Sequence, residues 1–223
     1  MTKPLMMIGL LLGGCGTETG NPEGMSVELA YNARSSRPEV VGFDDGAAVV
    51  VDTVWLRLDE VTLDGCGAQL ETYPGLGMAD HAHVEAAAQT LDSSFATFCG
   101  VSTLAAPGAT DGEPAHIQGA SIVVEGHLDS GEAFVLRIDD AVDLGVALDG
   151  QTPPAEGSWL LTFDVAAWLD PADLTVLDDE GVVEVNAVPF RERLADGVSL
   201  HVDANGNGQV DPGELEVARG SAR

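Results

Sequence analysis

Residues 203–214, close to the C-terminal end of the chain, carry oxygen donors at the spacing that a bound Ca²⁺ needs. Ca²⁺ is a hard cation that takes roughly six to eight oxygen ligands. Side-chain oxygens stand at positions 1, 3, 5, 9 and 12 of this run, and a backbone carbonyl is available at position 7. In chain order, these positions are held by Asp203, Asn205, Asn207, Asp211 and Glu214, with Gln209 at position 7. Gly208 occupies position 6, where the chain reverses sharply and a side chain would obstruct the turn.

The pattern resembles the calcium loop of an EF-hand. The resemblance implies that Asp211 acts through a water molecule and that Glu214 closes the site with both carboxylate oxygens. EF-hand sensors pair two such loops, and dockerins carry two when they bind cohesin, whereas this sequence shows one copy. We therefore expect calcium as the cofactor of a lone structural or surface-exposed site. The alternative is an acidic turn, rich in Asn and Gly, in an acidic protein.

A second candidate site is the segment Asp80-His81-Ala82-His83. In an extended chain, residues two apart point the same way, so His81 and His83 could chelate one Zn²⁺ or Cu²⁺ through their imidazole nitrogens. A third histidine would have to come from a distant part of the sequence, where the chain offers His116, His127 and His201. The alternative is a pair of solvated histidines in a loop.

The N-terminal residues 1–14 have the features of a secretory signal peptide: one lysine, a short apolar run and small residues before Cys15. The run is too short to span a bilayer, which takes about 20 apolar residues. The Leu-Gly-Gly-Cys sequence resembles a bacterial lipobox, which implies that the mature chain starts at an acylated Cys15. Because Gly16 rather than Asp follows this cysteine, the resemblance implies sorting to the outer membrane, on its periplasmic face or at the cell surface. The alternative is that these residues are not the natural start of the chain.

The chain is strongly acidic, with 9 Lys and Arg against 37 Asp and Glu and a formal net charge of −28. Loss of residues 1–14 removes one lysine, which leaves 8 cationic against 37 anionic side chains and a charge of −29. This charge excludes nucleic acid as a partner, because binding nucleic acid requires cations that neutralise phosphates. It also repels anionic lipid surfaces, so the acyl anchor would hold the protein at the membrane. A protein partner remains open.

Cys66 and Cys99 are the two cysteines left once Cys15 is assigned to the lipid anchor. In an exported, oxidising compartment they are expected to form a disulfide. Closing a loop of about 34 residues would stabilise the fold by roughly 3 to 4 kcal/mol in the chain-entropy model. The alternatives are two buried thiols or a metal-binding pair.

Period-2 alternation of apolar residues dominates from Ser26 onward and predicts strands. The predicted inward-facing sets are Val27, Leu29 and Tyr31, and Val54, Leu56 and Leu58, with Trp55, Arg57 and Asp59 facing outward. A hairpin is expected between residues 122–128 and 134–138, across the turn Asp129-Ser130-Gly131. Further strands are expected at residues 142–148, 158–165 and 182–185. The fold prediction is mainly β: an antiparallel β-sandwich or open barrel with a few short helices and the C-terminal EF-hand-like loop.

Three short helices are expected. The first is the Ala-rich segment 84–91, and the second begins at Asp170-Pro171, an N-cap followed by proline at the first helical position. The third would enter the calcium loop, because Phe190, Leu194, Val198 and Val202 are each four residues apart. Gly197 would weaken that helix by roughly 1 kcal/mol.

Four regions follow from these patterns: a signal peptide at 1–14, a lipidated cysteine and flexible tether at 15–25, a β-sandwich domain at 26–186 and a calcium-binding segment at 187–223. This plan resembles poorly characterised lipoproteins of myxobacteria-like organisms. The sequence contains no Gly-x-Ser-x-Gly, Gly-x-Gly-x-x-Gly, Walker or His-Glu-x-x-His motif, and we do not expect an enzyme.

The leading hypothesis is a calcium-binding cell-envelope lipoprotein with a structural or surface-interaction role. The alternative is a copper- or zinc-binding envelope protein that uses His81 and His83. A third, weaker option is a hydrolase whose site is not recognised.

Overall fold

The structure, a computed structural model, describes residues 25–32, 40–42, 48–66, 69–82, 87–95, 97–109, 111–148, 158–169, 182–184 and 193–220. Outside these described residues lie the predicted signal peptide and lipidated Cys15, most of the predicted tether, His83, the Asp170-Pro171 pair and Phe190.

The described part of the chain is built almost entirely of strands. In chain order the elements are β1 (Met25–Asn32), β2 (Val40–Gly42), β3 (Ala48–Gly65), β4 (Gln69–Asp80), β5 (Ala87–Ser93), β6 (Phe98–Ala105), β7 (Ile122–Leu128), β8 (Ala133–Ile138), β9 (Val142–Ala147), β10 (Ser158–Phe163), α1 (Val165–Trp168), β11 (Val182–Glu184), β12 (Val198–Asp203) and β13 (Glu216–Arg219). A helical turn covers residues 193–196. No helix among the described residues is long and apolar enough to cross a bilayer.

Two sheets face each other, which confirms the predicted β-sandwich. The five-stranded sheet has the order β13-β12-β10-β1-β5, and the eight-stranded sheet contains the path β11-β8-β7-β3-β6-β9, with β2 and β4 also on β3. In the five-stranded sheet β1 and β10 are parallel, whereas the other neighbours are antiparallel. The C-terminal segment therefore contributes β12 and β13 to the sandwich itself.

The apolar face of each strand is buried between the sheets, as the alternation predicted. Val54, Leu56 and Leu58 of β3 are completely buried, and Val27, Leu29 and Tyr31 of β1 are at most 2% exposed. Large rings fill the space between the sheets, where Phe98 meets Trp159 edge to face at a centroid distance of 5.7 Å. The predicted hairpin of β7 and β8 is also confirmed, with Ile122 opposite Ile138.

The 18-residue strand β3 organises the larger sheet. Both β4 and β6 pair with its residues 58–65, so they occupy opposite edges of β3. Since β4 also pairs with Trp55 and Leu56, where β7 pairs too, β7 lies on the same edge as β6. The connection 106–121 thus leaves and rejoins one edge of β3.

Arg57 holds this connection in place. Its backbone accepts a hydrogen bond from Ala106 N and donates one to Ser121 O, while its guanidinium forms a 2.5 Å ion pair with Glu113. Arg57 faces outward, as expected, but it is only 6% exposed because the connection covers it. Trp55 is likewise part of a small second cluster with Ile117 and Val123, and is therefore only partly exposed.

The Ala-rich segment is a strand and not the predicted helix, at least from Ala87, since residues 84–86 lie outside the described residues. Strand β5 pairs antiparallel with β1 along seven residues, from Met25–Ser93 to Tyr31–Ala87. Its Leu91 is buried in the core. Sheet pairing and burial have overridden the local helix preference of alanine.

The predicted helix before the calcium loop is also wrong, because β12 enters the loop. A spacing of four residues is even, so it keeps side chains on one face of a strand as well as on one face of a helix. Val198 and Leu200 point into the core, and Leu194 lies on the helical turn 193–196 that precedes the strand.

The strand predicted at 158–165 ends at Phe163, and a short helix, α1, begins at Val165. The Asp164 side chain caps α1 by accepting a hydrogen bond from Ala166 N at 3.0 Å. An aspartate that accepts from the first helical turn favours such a start.

The disulfide between Cys66 and Cys99 is confirmed, with a Cα–Cα distance of 5.1 Å. It joins the turn after β3 to β6, which also pairs with the last residues of β3.

Gly197 is a position of close approach between backbone and side chain. A Cβ atom there would lie 2.3 Å from Trp168 Nε1 and 2.9 Å from the carbonyl oxygen of Asp164. Trp168 is fully buried, and its Nε1 donates a hydrogen bond to Leu194 O at 3.3 Å. Because Gly197 has no side chain, Trp168 can pack directly against its backbone.

We expect Gly197→Ala to lower the free energy of unfolding by about 1 to 3 kcal/mol, because the added methyl overpacks a filled site. Urea denaturation followed by tryptophan fluorescence measures the change. Asp196→Ala, at the exposed neighbouring position, is the matched control and should change stability by less than about 0.5 kcal/mol. Equal midpoints for the two variants would contradict the close packing of Trp168.

Candidate metal sites

The predicted calcium loop connects two antiparallel strands. Asp203 ends β12, Glu216 begins β13, and Val202 N donates to Leu215 O at 3.0 Å across the base of the loop. Residues 203–214 thus have strands on both sides, where an EF-hand has helices. The fixed distance between paired strands now sets the separation of the two ends of the loop.

Asp203 is the buried centre of the loop. It is 4% exposed, and its two carboxylate oxygens accept hydrogen bonds from Asn207 N at 3.1 Å and Gly208 N at 2.8 Å. These bonds fold the chain back over the carboxylate. Gly206 and Gly208 have φ of 69° and 68°, a left-handed conformation that favours glycine, as the sequence predicted for position 6.

Two asparagines and Asp211 form the next layer. The Oδ1 atoms of Asn205 and Asn207 accept hydrogen bonds from the backbone N–H two residues on, at 2.9 and 2.8 Å. Their Nδ2 atoms both donate to Asp211 Oδ2, at 2.6 and 2.8 Å. Both asparagines therefore turn their side chains into the loop.

Glu214 closes the loop with both of its carboxylate oxygens. Oε1 accepts a hydrogen bond from Ala204 N at 3.0 Å, and Oε2 accepts one from Asp211 N at 2.9 Å. The last residue of the run is thereby bonded to the second, next to Asp203.

Five of the six predicted ligand residues are thus linked through side-chain hydrogen bonds, and Gln209 joins them through its backbone N–H. The donor set is oxygen only, which suits a hard cation. Among the described residues, no three or more His, Cys, Asp or Glu side chains are grouped closely enough to hold a metal ion. A complete calcium shell would therefore need the Asn and Gln209 oxygens as well as the carboxylates.

Asn32 of β1 ties the loop to the sandwich, and sequence reasoning missed it. Its Nδ2 donates to Gly208 O at 2.9 Å, across 176 positions of sequence, and the residue is only 5% exposed. No local signal marks this role, because the contact depends on β12 and β1 both pairing with β10. Position 6 of the loop is therefore held at its carbonyl as well as at its N–H.

A buried polar row lies on the same sheet, formed by Thr162, Ser199 and His201. The Thr162 and Ser199 hydroxyls are 2.7 Å apart, and Ser199 Oγ lies 3.0 Å from His201 Nε2. Burial lowers the pKa of His201, an effect that nearby Glu216 and Glu214 oppose. His201 is therefore a neutral, buried partner of Ser199 next to the loop.

His81 is buried instead of solvated. It is 3% exposed, its ring packs edge-on against Phe163 at 6.4 Å, and its backbone N–H donates to Val54 O at 2.8 Å. Asp80 shapes the turn, because its Oδ1 accepts from Val54 N and from Ala82 N. His81 Nε2 is buried and makes no hydrogen bond. Since His83 lies outside the described residues, the structure describes one member of the predicted pair.

The other histidines have partners of their own. His116 Nε2 lies 3.3 Å from Glu125 Oε1, and His127 Nδ1 lies 3.1 Å from Asp52 Oδ2, both at partly exposed positions. Neither contact involves His81.

The buried environment of His81 predicts a loss of stability in mild acid. Burial lowers the pKa of His81 from 6.5 to about 4, so the unfolded chain takes up a proton at a higher pH than the folded one. Its contribution to stability is complete above pH 6.5 and is lost as the pH falls toward 4, by roughly 3 kcal/mol at most.

Urea denaturation in metal-free buffer tests this for the natural chain and His81→Gln. The free energy of unfolding of the natural chain should fall relative to the variant between pH 6.5 and 4. A difference between the two proteins that stays constant over this range would contradict a buried, neutral His81.

Comparison with known proteins adds little to this geometry. No protein-family model matches the sequence, and no curated protein matches it. Among solved structures, MbnP from Methylosinus trichosporium is similar over 87% of this chain and 98% of its own, with 12% sequence identity and a TM-score of 0.40. At this distance the likeness carries no argument about a site, and the function has to be argued from the residues of the chain itself.

Proposed function

We propose that the chain is a calcium-binding lipoprotein of the cell envelope, with a structural or surface-interaction role and no catalytic step. The observation that carries the proposal is the fold of the loop around Asp203. Its buried carboxylate lies under the backbone N–H groups of positions 5 and 6, and Glu214 returns to the start of the loop. A bound Ca²⁺ would draw on the oxygens of Asp203, Asn205, Asn207 and Glu214, the Gln209 carbonyl and Asp211 through water.

Electrostatics favours a cation in this loop. Asp203, Asp211 and Glu214 place three carboxylates within twelve residues, in a chain whose net charge is −28. Such a field raises the local concentration of cations. The amide groups of Asn205 and Asn207 now donate to the Asp211 carboxylate without compensating its negative charge, which a cation in the loop would compensate through the bridging water.

The site would act as a structural clip. Asn at positions 3 and 5 keeps the loop charge modest, so we expect a dissociation constant of about 10⁻⁴ to 10⁻³ M, as in extracellular modules. At calcium about ten times the dissociation constant, the stabilisation would be about 1.4 kcal/mol. Since Asn32 holds the loop to β1, an ion in the loop would reinforce both the β12–β13 hairpin and its contact with the sandwich.

The envelope anchor is the second part of the proposal. Cys15 and the lipobox before it support acylation, and residues 16–24 would hold the sandwich off the membrane before β1 begins at Met25. With an anchor of this kind, the acidic surface would face the aqueous side. Gly16 after the cysteine supports export to the outer membrane.

We expect Glu214→Ala to abolish calcium binding in the millimolar range, because it removes two oxygens at once. Asn32→Ala should weaken binding by roughly tenfold, since it removes support from the loop without removing a ligand. Isothermal titration calorimetry at low ionic strength measures both.

Glu132→Ala is the matched control, since it removes an exposed carboxylate far from the loop in sequence, and it should bind calcium as the natural chain does. Equal calcium affinity for the natural chain and Glu214→Ala would overturn the proposal.

We expect Cys15→Ala to leave a form that is not acylated and that either keeps residues 1–14 or partitions into the aqueous phase of a detergent extraction. Intact mass spectrometry of the protein from its native host measures the modification. An unmodified Cys15 in the natural protein would contradict the anchor and leave the calcium site untouched.

A second candidate function, binding of copper or zinc, is favoured by His81. A neutral imidazole with a buried, unpartnered Nε2 is the form in which histidine binds a transition metal. His83 would supply the second nitrogen if the chain brings it to the same point.

The double variant His81→Ala/His83→Ala should lose one equivalent of bound Cu²⁺ or Zn²⁺, measured by metal analysis after dialysis. The matched control is His116→Ala/His127→Ala, which removes the same number of imidazoles from partly exposed positions. Equal metal content in the two double variants would remove this candidate.

A further inference from the structure

Two Asn-Gly pairs lie side by side in the loop, at 205–206 and 207–208. In such a pair the backbone nitrogen of glycine can attack the side-chain carbonyl carbon of asparagine, since no glycine side chain hinders the approach. The attack needs an available backbone nitrogen, a polarised amide carbonyl and a route for the leaving ammonia.

Asn205 meets all three requirements. Its Oδ1 accepts a hydrogen bond from Asn207 N at 2.9 Å, which polarises the carbonyl and would stabilise the oxyanion. Its Nδ2, the leaving nitrogen, donates a hydrogen bond to Asp211 Oδ2 at 2.6 Å and belongs to an exposed side chain, so ammonia can leave into water. Among the described residues the Gly206 N–H makes no hydrogen bond, and both Asn205 and Gly206 are exposed to water.

Asn207 has the same polarised carbonyl and the same Nδ2 contact, but it lacks an available backbone nitrogen. Its Oδ1 accepts from Gln209 N, and its Nδ2 donates to the same Asp211 oxygen. Gly208, however, is buried, its N–H is bonded to Asp203 and its carbonyl to Asn32. The peptide group that would have to rotate and attack is therefore fixed at both ends.

We propose that Asn205 is a site of spontaneous deamidation and that Asn207 is protected from it. Gly206 N loses its proton to water and forms a bond with Asn205 Cγ. The Cγ–Nδ2 bond then breaks and ammonia leaves, with a proton supplied by water. Water opens the resulting succinimide, which gives aspartate or isoaspartate at position 205. The reaction uses only water and changes no oxidation state.

The consequence for calcium rests on the proposed function, whereas the deamidation itself does not. Aspartate at position 3 would add a fourth carboxylate and bind the cation more tightly. Without a cation it would face Asp211 as a like charge, in place of the present hydrogen bond. Isoaspartate would lengthen the backbone by one carbon and disturb the ligand spacing. The calcium affinity of the protein would thus change with time, as deamidated molecules accumulate.

Incubation of the full soluble chain at mildly alkaline pH, followed by peptide mass spectrometry with separation of isoaspartate, measures deamidation at each asparagine. Asn207 is the internal control, and Asn205→Gln is the matched variant, because its longer side chain would have to close a less favourable six-membered ring. Conversion at Asn205 should be roughly 10- to 100-fold faster than at Asn207, since attack at Asn207 must first break a hydrogen bond to a charged group. Asn205→Gln should show no comparable conversion at position 205.

Equal rates at the two asparagines, or a faster rate at Asn207, would overturn the assignment. In a separate arm, Asn205→Asp should bind calcium more tightly than the natural chain by calorimetry. Fast deamidation at Asn205 with no calcium binding by either protein would uphold the modification and reject the proposed function. Calcium binding by the natural chain, together with deamidation at Asn205 that is no faster than at Asn207, would uphold the proposed function and reject the modification.

Discussion

The antiparallel pairing of β12 with β10 is the contact on which the rest of the site depends. It runs from Phe163 opposite Val198 to Ser158 opposite Asp203, in the middle of the five-stranded sheet. This register buries Asp203 at the end of β12 and turns the acidic loop back toward β1, where Asn32 meets Gly208. A one-residue slip would exchange the two faces of β12 and place Ser199 and His201 in the apolar core. Burial of apolar side chains in the sandwich core thus sets the position of the loop, although the loop contributes little apolar surface of its own.

The sequence predicts the interior of this fold better than its polar contacts. Alternation identified Val54, Leu56 and Leu58 as inward-facing, since burial of one face depends on period alone. It could not separate helix from strand at Val198 and Val202, because a spacing of four satisfies both. The roles of Asn32 and Arg57 stayed hidden for another reason: each is decided by a segment far away in the chain, the loop in one case and the connection 106–121 in the other. The candidate calcium ligands could be recognised from the sequence because their spacing is local. The strands that flank them could not, because the spacing of the apolar residues fits a helix equally well.

Buried and exposed polar side chains in this protein differ in how their hydrogen-bonding groups are paired. Thr162, Ser199 and His201 form hydrogen bonds with one another in a buried row, and Arg57 is paired with Glu113 beneath its covering connection. Buried ring nitrogens that make no hydrogen bond are found at Trp55 Nε1, His201 Nδ1 and His81 Nε2, and burial keeps His81 neutral. An unmet buried acceptor or donor costs about 1 to 3 kcal/mol, so its retention is a reason to look for a ligand there. The acidic loop differs, since all its carboxylates have donors and a cation would have to replace them.

A crystal structure of residues 25–223, grown with millimolar calcium, would show whether the loop binds the ion. We expect one ion in the loop at about 2.3 to 2.6 Å from oxygens of Asp203, Asn205, Asn207 and Glu214 and from the Gln209 carbonyl, with Asn32 still bonded to Gly208. A loop without an ion, in which Asp211 still accepts from both asparagine amides, would contradict the proposed calcium site.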